Sequence, residues 1–187
     1  DINFRKKMAT KAFKLTTSYD NIIFQWFKNG KKETGKKNYL KYGENPGQRA
    51  YLSKNLNDIF KCQLNGKDLS YNNILDIDSG IDCINEFKEP SCVIVKHTNP
   101  CGVSSSKNIN DAFLNAYKCD SKSAFGGIVI LNRKVNLKLA KILSKFFFEV
   151  IVCPKFDNKA LSLLSKKNRL ILLEIGNIKL SKEIVKS

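Results

Sequence analysis

One histidine, one tryptophan, one methionine and four prolines occur among 187 residues, and this scarcity narrows the possible chemistry. A lone histidine, His97, and six cysteines with no close pair argue against a tetrahedral zinc site, which needs four convergent nitrogen or sulfur ligands. No G-x-x-x-x-G-K-[ST] phosphate loop is present, since Gly43 to Gln48 lacks both the spacing and the lysine. The longest apolar runs, such as Phe146 to Phe148 and Val150 to Cys153, fall far short of the roughly 20 residues that span a bilayer. No secretory signal is visible in these residues. Cys62, Cys83, Cys92, Cys101, Cys119 and Cys153 lack the spacing of a disulfide framework, and several lie in apolar runs where cysteine acts as a small hydrophobe. Reduced thiols and a cytoplasmic location are expected. There is no internal repeat or low-complexity segment.

Acidic residues are also scarce. Lys and Arg number 33 against 17 Asp and Glu, a formal net charge of +16. Such an excess ordinarily points to nucleic acid or an anionic membrane. Here the lysines are spread along the whole chain, and Asn, Ile and Phe are abundant too, the bias that A+T-rich codons produce. A nucleic-acid groove would interleave basic and aromatic residues. The nearest candidate, Lys28 to Lys37, reads as a solvated linker, so neither nucleic acid nor membrane is expected as a partner. A basic surface would still draw in small anionic substrates.

What is present is a repeated switch between helical and strand periodicity. Ile74, Ile77, Ile81, Ile84 and Phe87 recur at three- and four-residue steps, which predicts an amphipathic helix capped by Ser70. Short, doubly apolar strands are predicted at Cys92 to Val95, Ile128 to Leu131, Val150 to Cys153 and Leu170 to Leu173. Helices are predicted between them at Asn110 to Lys118, Leu137 to Phe147 and Asn158 to Lys166. This alternation implies an α/β layered fold with a largely parallel sheet.

Four segments carry more than packing. Val93 to Gly102, V-I-V-K-H-T-N-P-C-G, ends an apolar β-branched run in Lys96 and His97, and Asn99-Pro100 with Gly102 would break the strand sharply. That places both side chains at the strand's carboxyl end, beside a crevice. A lone histidine is more often an ordinary surface or hydrogen-bonded core residue than a catalyst. Leu40 to Ala50, L-K-Y-G-E-N-P-G-Q-R-A, is too rich in Gly, Pro and Asn for a regular element and reads as a structured loop. Ser121 to Arg133, S-K-S-A-F-G-G-I-V-I-L-N-R, has a Gly-Gly pair where backbone could approach a ligand closely. The fourth is Leu64 to Asp76, L-N-G-K-D-L-S-Y-N-N-I-L-D.

Taken in this order along the chain, the four segments resemble the bifunctional purine-biosynthesis family that joins AICAR formyltransferase to IMP cyclohydrolase. Residues 1–28, containing K-A-F-K-L-T-T-S-Y-D-N-I-I, look like the end of the cyclohydrolase domain. Residues 29–37 would be a linker, and 38–187 the first part of the formyltransferase domain, which makes the sequence an internal fragment. The resemblance implies a three-layer, cytidine-deaminase-like fold, a cytoplasmic homodimer, AICAR as substrate and 10-formyltetrahydrofolate as co-substrate. It implies His97 as proton acceptor and Lys96 as transition-state stabiliser, with the turn at Thr98 to Gly102 letting both serve one substrate. Lys41 and Tyr42 match a nucleotide-binding pair that is usually Arg-Tyr; the lysine keeps the charge but loses the bidentate fork. Gly126 and Glu149 match substrate-holding positions. From the residues alone, the better readings are a tight strand entry for Gly126 and a solvated helix-end charge for Glu149.

Zinc-dependent deaminases would share the fold, and His97 with Pro100-Cys101 faintly resembles their H-x-E and P-C-x-x-C motifs. Asn99 stands where the acid/base glutamate would be, and Ser104 where the second cysteine is required, so no zinc is expected. The alternative to a working enzyme is a catalytically dead remnant or binding fragment of the same enzyme, left by a decaying gene.

Overall fold

The computed structural model describes residues 1–29, 38–40, 43, 48, 50–52 and 58–176. They fall into two units, Asp1–Lys36 and Lys37–Ser187. The first is helix α1, Ile2–Asn29. Its apolar side chains, among them Phe13, Ile22, Phe24, Trp26 and Phe27, are exposed, and Trp26 meets Phe27 edge to face at 4.7 Å. Among the described residues no helix is long and apolar enough to cross a membrane.

The second unit opens with a two-stranded ribbon, β1 (Asn38–Tyr39) antiparallel to β2 (Tyr51–Leu52). The ribbon continues inward through backbone bonds from Leu40 N to Ala50 O and from Gly43 N to Gln48 O. Lys41 and Tyr42, the expected nucleotide-binding pair, lie outside the described residues. The short helix α2 (Asp58–Lys61) leads into a six-stranded sheet. Its strands are β3 (Gln63–Asn65), β4 (Ser91–Lys96), β5 (Asn99–Ser105), β6 (Ile128–Leu131), β7 (Val150–Cys153) and β8 (Ile171–Glu174), in the spatial order β3-β8-β7-β6-β4-β5.

Side chains alternate across the sheet, as extended backbone requires. Val93, Val95, Ile128, Ile130, Val150, Val152, Ile171 and Leu173 face a core built with Ile74, Ile77, Ile81 and Ile84 of helix α3, Tyr71–Ile84. Cys92, Ile94, Val129, Leu131, Ile151, Cys153 and Leu172 face the opposite core. There they meet α4 (Ile109–Cys119), α5 (Leu137–Leu143) and α6 (Asn158–Leu164). The result is a helix–sheet–helix sandwich of three layers, and the four inner strands β4, β6, β7 and β8 are apolar on both faces because both are covered.

The sheet is mixed, which corrects the expectation of a largely parallel one. Only β6–β7 and β7–β8 are parallel pairs; β3–β8, β4–β6 and β4–β5 are antiparallel. Every helical crossover does join strands of the same direction, including α3 between β3 and β4, and α4 between β5 and β6. Those two pairs are not neighbours, however, so reversed strands lie between them. Asn99, Pro100 and Gly102 do not break the chain either: they belong to β5, an edge strand where a proline's missing N–H costs no ladder bond. The register shifts between Ile94 and Val95, which pair with Gly102 and Pro100 and leave Cys101 as the extra residue of a bulge. Gly102 is there for packing, since a Cβ would lie 2.1 Å from Ala116 O of α4.

Two helices end sooner than their periodicity predicts, α5 at Leu143 and α6 at Leu164. Beyond α5 the chain turns so that Phe146 and Phe148 reach Phe113 and Tyr117 on α4, with ring centroids 4.4–6.3 Å apart. Aromatic burial outweighs another helical turn here.

Candidate active site

The strand β4 ends in a two-residue hairpin turn. Lys96 pairs with Asn99 across it, and the two turn residues are both left-handed, His97 at φ 52° and Thr98 at φ 62°. Two-residue hairpins favour this conformation because its twist matches the strands, but it is normally filled by Asn-Gly or Asp-Gly. A β-branched threonine there is an outlier. The change of direction expected at Thr98 to Gly102 thus occurs one residue earlier, with His97 inside the turn.

Local bonds hold the turn. Thr98 Oγ1 and Asn99 Nδ2 donate to His97 O at 2.6 and 2.9 Å. Helix α3 contributes two more: Thr98 N donates to Asp76 Oδ1 at 2.6 Å, and Ser79 Oγ donates to Thr98 O at 2.7 Å. The His97 side chain is exposed.

Lys96 points back over the sheet end. Its ammonium donates to Phe125 O at 2.9 Å and lies against Gly126, where a Cβ would stand 3.2 Å from Nζ. Gly126 has φ +67°, a backbone handedness that favours glycine, and any Cβ there would also have to displace the Lys96 and Phe147 side chains. Phe125 and Phe147 flank it, 65% and 53% exposed, with ring centroids 5.0 Å apart.

Glu149 belongs to the same end of the sheet. Gly126 N donates to Phe147 O, Glu149 N to Gly127 O and Ile171 N to Glu149 O, at 2.9, 3.0 and 2.9 Å, so the ladder extends just past the strands proper. The carboxylate accepts from Asn73 Nδ2 at 3.2 Å and Lys67 Nζ at 3.3 Å. Asn73 is itself buried, and its Oδ1 accepts from Ser70 N, closing a capping box at the start of α3. Glu149 is thus a held carboxylate rather than a loose helix-end charge.

The structure therefore gathers four of the six expected residues, Lys96, His97, Gly126 and Glu149. The edge they share is the carboxyl end of β4 but the amino end of β6 and β7, because β4 runs antiparallel to β6. The analogy with the carboxyl-end crevice of a parallel sheet does not hold. Sequence reasoning missed Lys67, Asn73, Asp76 and Ser79. The last three follow one another at three-residue steps along α3, a signal the sequence carried without distinguishing it from a solvated face.

Chemically, the arrangement offers a fixed cation, an exposed imidazole on the next residue, a carboxylate and a stretch of glycine backbone, a set suited to proton transfer and stabilisation of developing negative charge. No group of three or more His, Cys, Asp or Glu that could hold a metal occurs among the described residues.

Comparison with known proteins agrees with these motifs. The family model described as AICARFT/IMPCHase bienzyme matches residues 1–187. The bifunctional purine biosynthesis protein PurH of Caldicellulosiruptor bescii is 44% identical over 188 residues, covering 91% of this chain and 37% of the relative. PurH of Caldicellulosiruptor saccharolyticus is 45% identical, covering 94% and 38%. PurH of Staphylococcus aureus strain JH1 is 46% identical, covering 94% and 35%. A solved structure, RibD of Acinetobacter baumannii, overlays on 53% of this chain and 35% of its own at 16% identity and a TM-score of 0.44, too slight a likeness to bear on the fold. The chain spans a little over a third of the length of these curated relatives, and with its whole length matched it belongs to the AICARFT/IMPCHase bienzyme family.

Proposed function

We propose that this chain carries part of the AICAR formyltransferase site, which moves a formyl group from 10-formyltetrahydrofolate to the 5-amino group of AICAR in purine biosynthesis. That amine is a poor nucleophile, because its lone pair is drawn into the imidazole carboxamide. The site must remove its proton as the C–N bond forms and stabilise charge growing on the formyl oxygen. His97 is the proton acceptor, a task its imidazole ring can perform because one ring nitrogen accepts a proton while the other donates. The Lys96 ammonium stabilises the oxyanion. Gly126 presents backbone to the nucleotide and Glu149 holds it, with Lys41 and Tyr42 completing its binding.

One observation carries this reading: the Lys96 ammonium lies against Gly126, and His97 is the next residue, in a turn rather than on the opposite strand face. Adjacent residues on a continuing strand would point apart. The finer assignments are part of the same proposal: a cytidine-deaminase-like fold, a division into 1–28, 29–37 and 38–187, a cytoplasmic homodimer, and IMP cyclohydrolase as the second activity of the intact protein.

The test is formyl transfer by the full-length protein, with cyclohydrolase activity as an internal control for folding. His97→Ala should lower kcat by about 10²- to 10⁴-fold and Lys96→Met by about 10²- to 10³-fold, with cyclohydrolase retained. A His97→Ala protein that still formylates AICAR at near wild-type rate would remove the reading.

A further inference from the structure

Helix α3 carries two stripes. The apolar one packs on the sheet. Beside it Asn73, Asp76 and Ser79 form a polar row on one face, and each spends its side chain on the sheet end that bears the site. Asn73 reaches Glu149; Asp76 and Ser79 reach the two backbone polar groups of Thr98.

Those last two bonds fall on the least favourable backbone in the hairpin. His97 and Thr98 are the non-glycine residues with positive φ among those described. Threonine in particular resists that region, because its branched Cβ crowds the backbone. Such a conformation persists only where its surroundings over-determine it. Here the Asp76 carboxylate takes the Thr98 N–H and the Ser79 hydroxyl occupies the Thr98 carbonyl, so the two peptide units that flank the Thr98 Cα are each gripped from a rigid, core-packed helix. Releasing them would let residues 97 and 98 relax toward negative φ and redirect the His97 side chain.

We propose that Asp76 and Ser79 are positioning residues: acting through Thr98, they hold His97 in the left-handed turn in which it reaches the reacting amine. This rests on His97 being the proton acceptor. Neither residue touches substrate in this role, so their loss lowers kcat and leaves the KM for AICAR nearly unchanged.

The decisive experiment uses the full-length protein. Asp76→Ala should reduce kcat for formyl transfer by about 10- to 100-fold, the scale of a small misplacement of a catalytic group. Asp76→Asn should keep most of the rate, because an amide oxygen still accepts from Thr98 N. Thr98→Gly in the Asp76→Ala background should restore much of the loss, because glycine takes positive φ without support. A residue needed only for general stability would show none of this selective rescue. Hydrogen exchange at the residue-98 amide, expected to quicken in Asp76→Ala, reads the grip without reference to activity. If the wild-type protein failed to formylate AICAR, the functional reading would fall while exchange still decided the grip. Unchanged kcat in Asp76→Ala, unchanged exchange, or a loss that Thr98→Gly leaves intact would each overturn the proposal.

Discussion

Replacing Gly126 with alanine asks whether the sheet end is built around the Lys96 ammonium. Two features set the size of the effect. The backbone stands at φ +67°, where a Cβ meets the following carbonyl at a cost of roughly 1–2 kcal/mol. The new methyl would also lie 3.2 Å from Lys96 Nζ and 3.3 Å from Phe147 Cε1, inside ordinary van der Waals contact. Both neighbours are the far ends of movable side chains, so they give way by a few tenths of an ångström instead of blocking the fold. The stability loss should therefore stay at the backbone value. The rate should fall further than stability alone explains, by roughly 10-fold, because the displaced group is the ammonium and small misplacements of catalytic groups are expensive. Denaturant unfolding and formyl-transfer kcat would be measured in two backgrounds, wild type and Lys96→Met. If the methyl acts through the ammonium, Gly126→Ala costs stability in both and rate only in the first. An equal rate loss in both would refute the coupling, and undiminished stability would refute the left-handed backbone.

Asn73→Ala removes both the capping-box bond to Ser70 and the donor to Glu149, and should cost about 1–3 kcal/mol in urea unfolding, as for a buried polar network that loses a partner. Lys67→Ala breaks only a half-exposed ion pair to the same carboxylate and should cost about 0–1 kcal/mol; an equal loss in the two variants would contradict the placement. Burial pushes the Cys92 thiol well above the ordinary range, with Cys101 and Cys119 adding to it, and burial does the same to Cys153. Cys119 is exposed, so peptide mapping after native alkylation should find it labelled, and Cys92 and Cys153 labelled only after unfolding. The Ser123 hydroxyl and then its amide hold the Asp120 carboxyl below its ordinary value of 3.8. A depressed carboxylate stabilises the fold above its unfolded pKa and loses that contribution as pH falls through the folded one. Ser123→Ala should therefore raise the Asp120 titration midpoint seen by NMR, and should destabilise at neutral pH but not in strong acid.

Much of this was legible from apolar periodicity. The strands at 128–131 and 150–153 and the cap at Ser70 stand where the pattern put them, because doubly buried strands and amphipathic helices write their burial directly into the sequence. What escaped is what burial does not record. The strand Asn99–Ser105 is an edge strand with Pro100 and Gly102 in it, so it carries turn residues and little apolar pattern. The hairpin turn falls on His97-Thr98, which bears no Asn-Gly or Asp-Gly signature; its handedness is imposed by Asp76 and Ser79 across the fold. Strand direction was misjudged for a related reason. Helical crossovers do reveal parallel strands, but not whether another strand lies between them. For the site, the structure places Lys96, His97, Gly126 and Glu149 at one edge of the sheet, whereas Lys67, Asn73, Asp76 and Ser79 become visible only once their partners are known.

The reversed strand is what brings the candidate residues to one edge. Were β4 parallel to β6, its carboxyl end would lie at the far edge of the sheet from Gly126 and Glu149, both of which precede their strands. Running antiparallel, β4 delivers Lys96 and His97 to the edge where β6 and β7 begin. Phe125 O can then receive the ammonium and backbone bonds can tie Gly126 to Phe147 and Gly127 to Glu149. Helix α3 connects β3 to β4, so it must cross this face of the sheet, and its polar row passes the same edge. The elements that fix the turn are thus the ones the topology already requires. A substitution that preserves the apolar stripe of α3 but alters its polar row should accordingly leave a folded protein with a misplaced imidazole, separating folding from chemistry on a single helix.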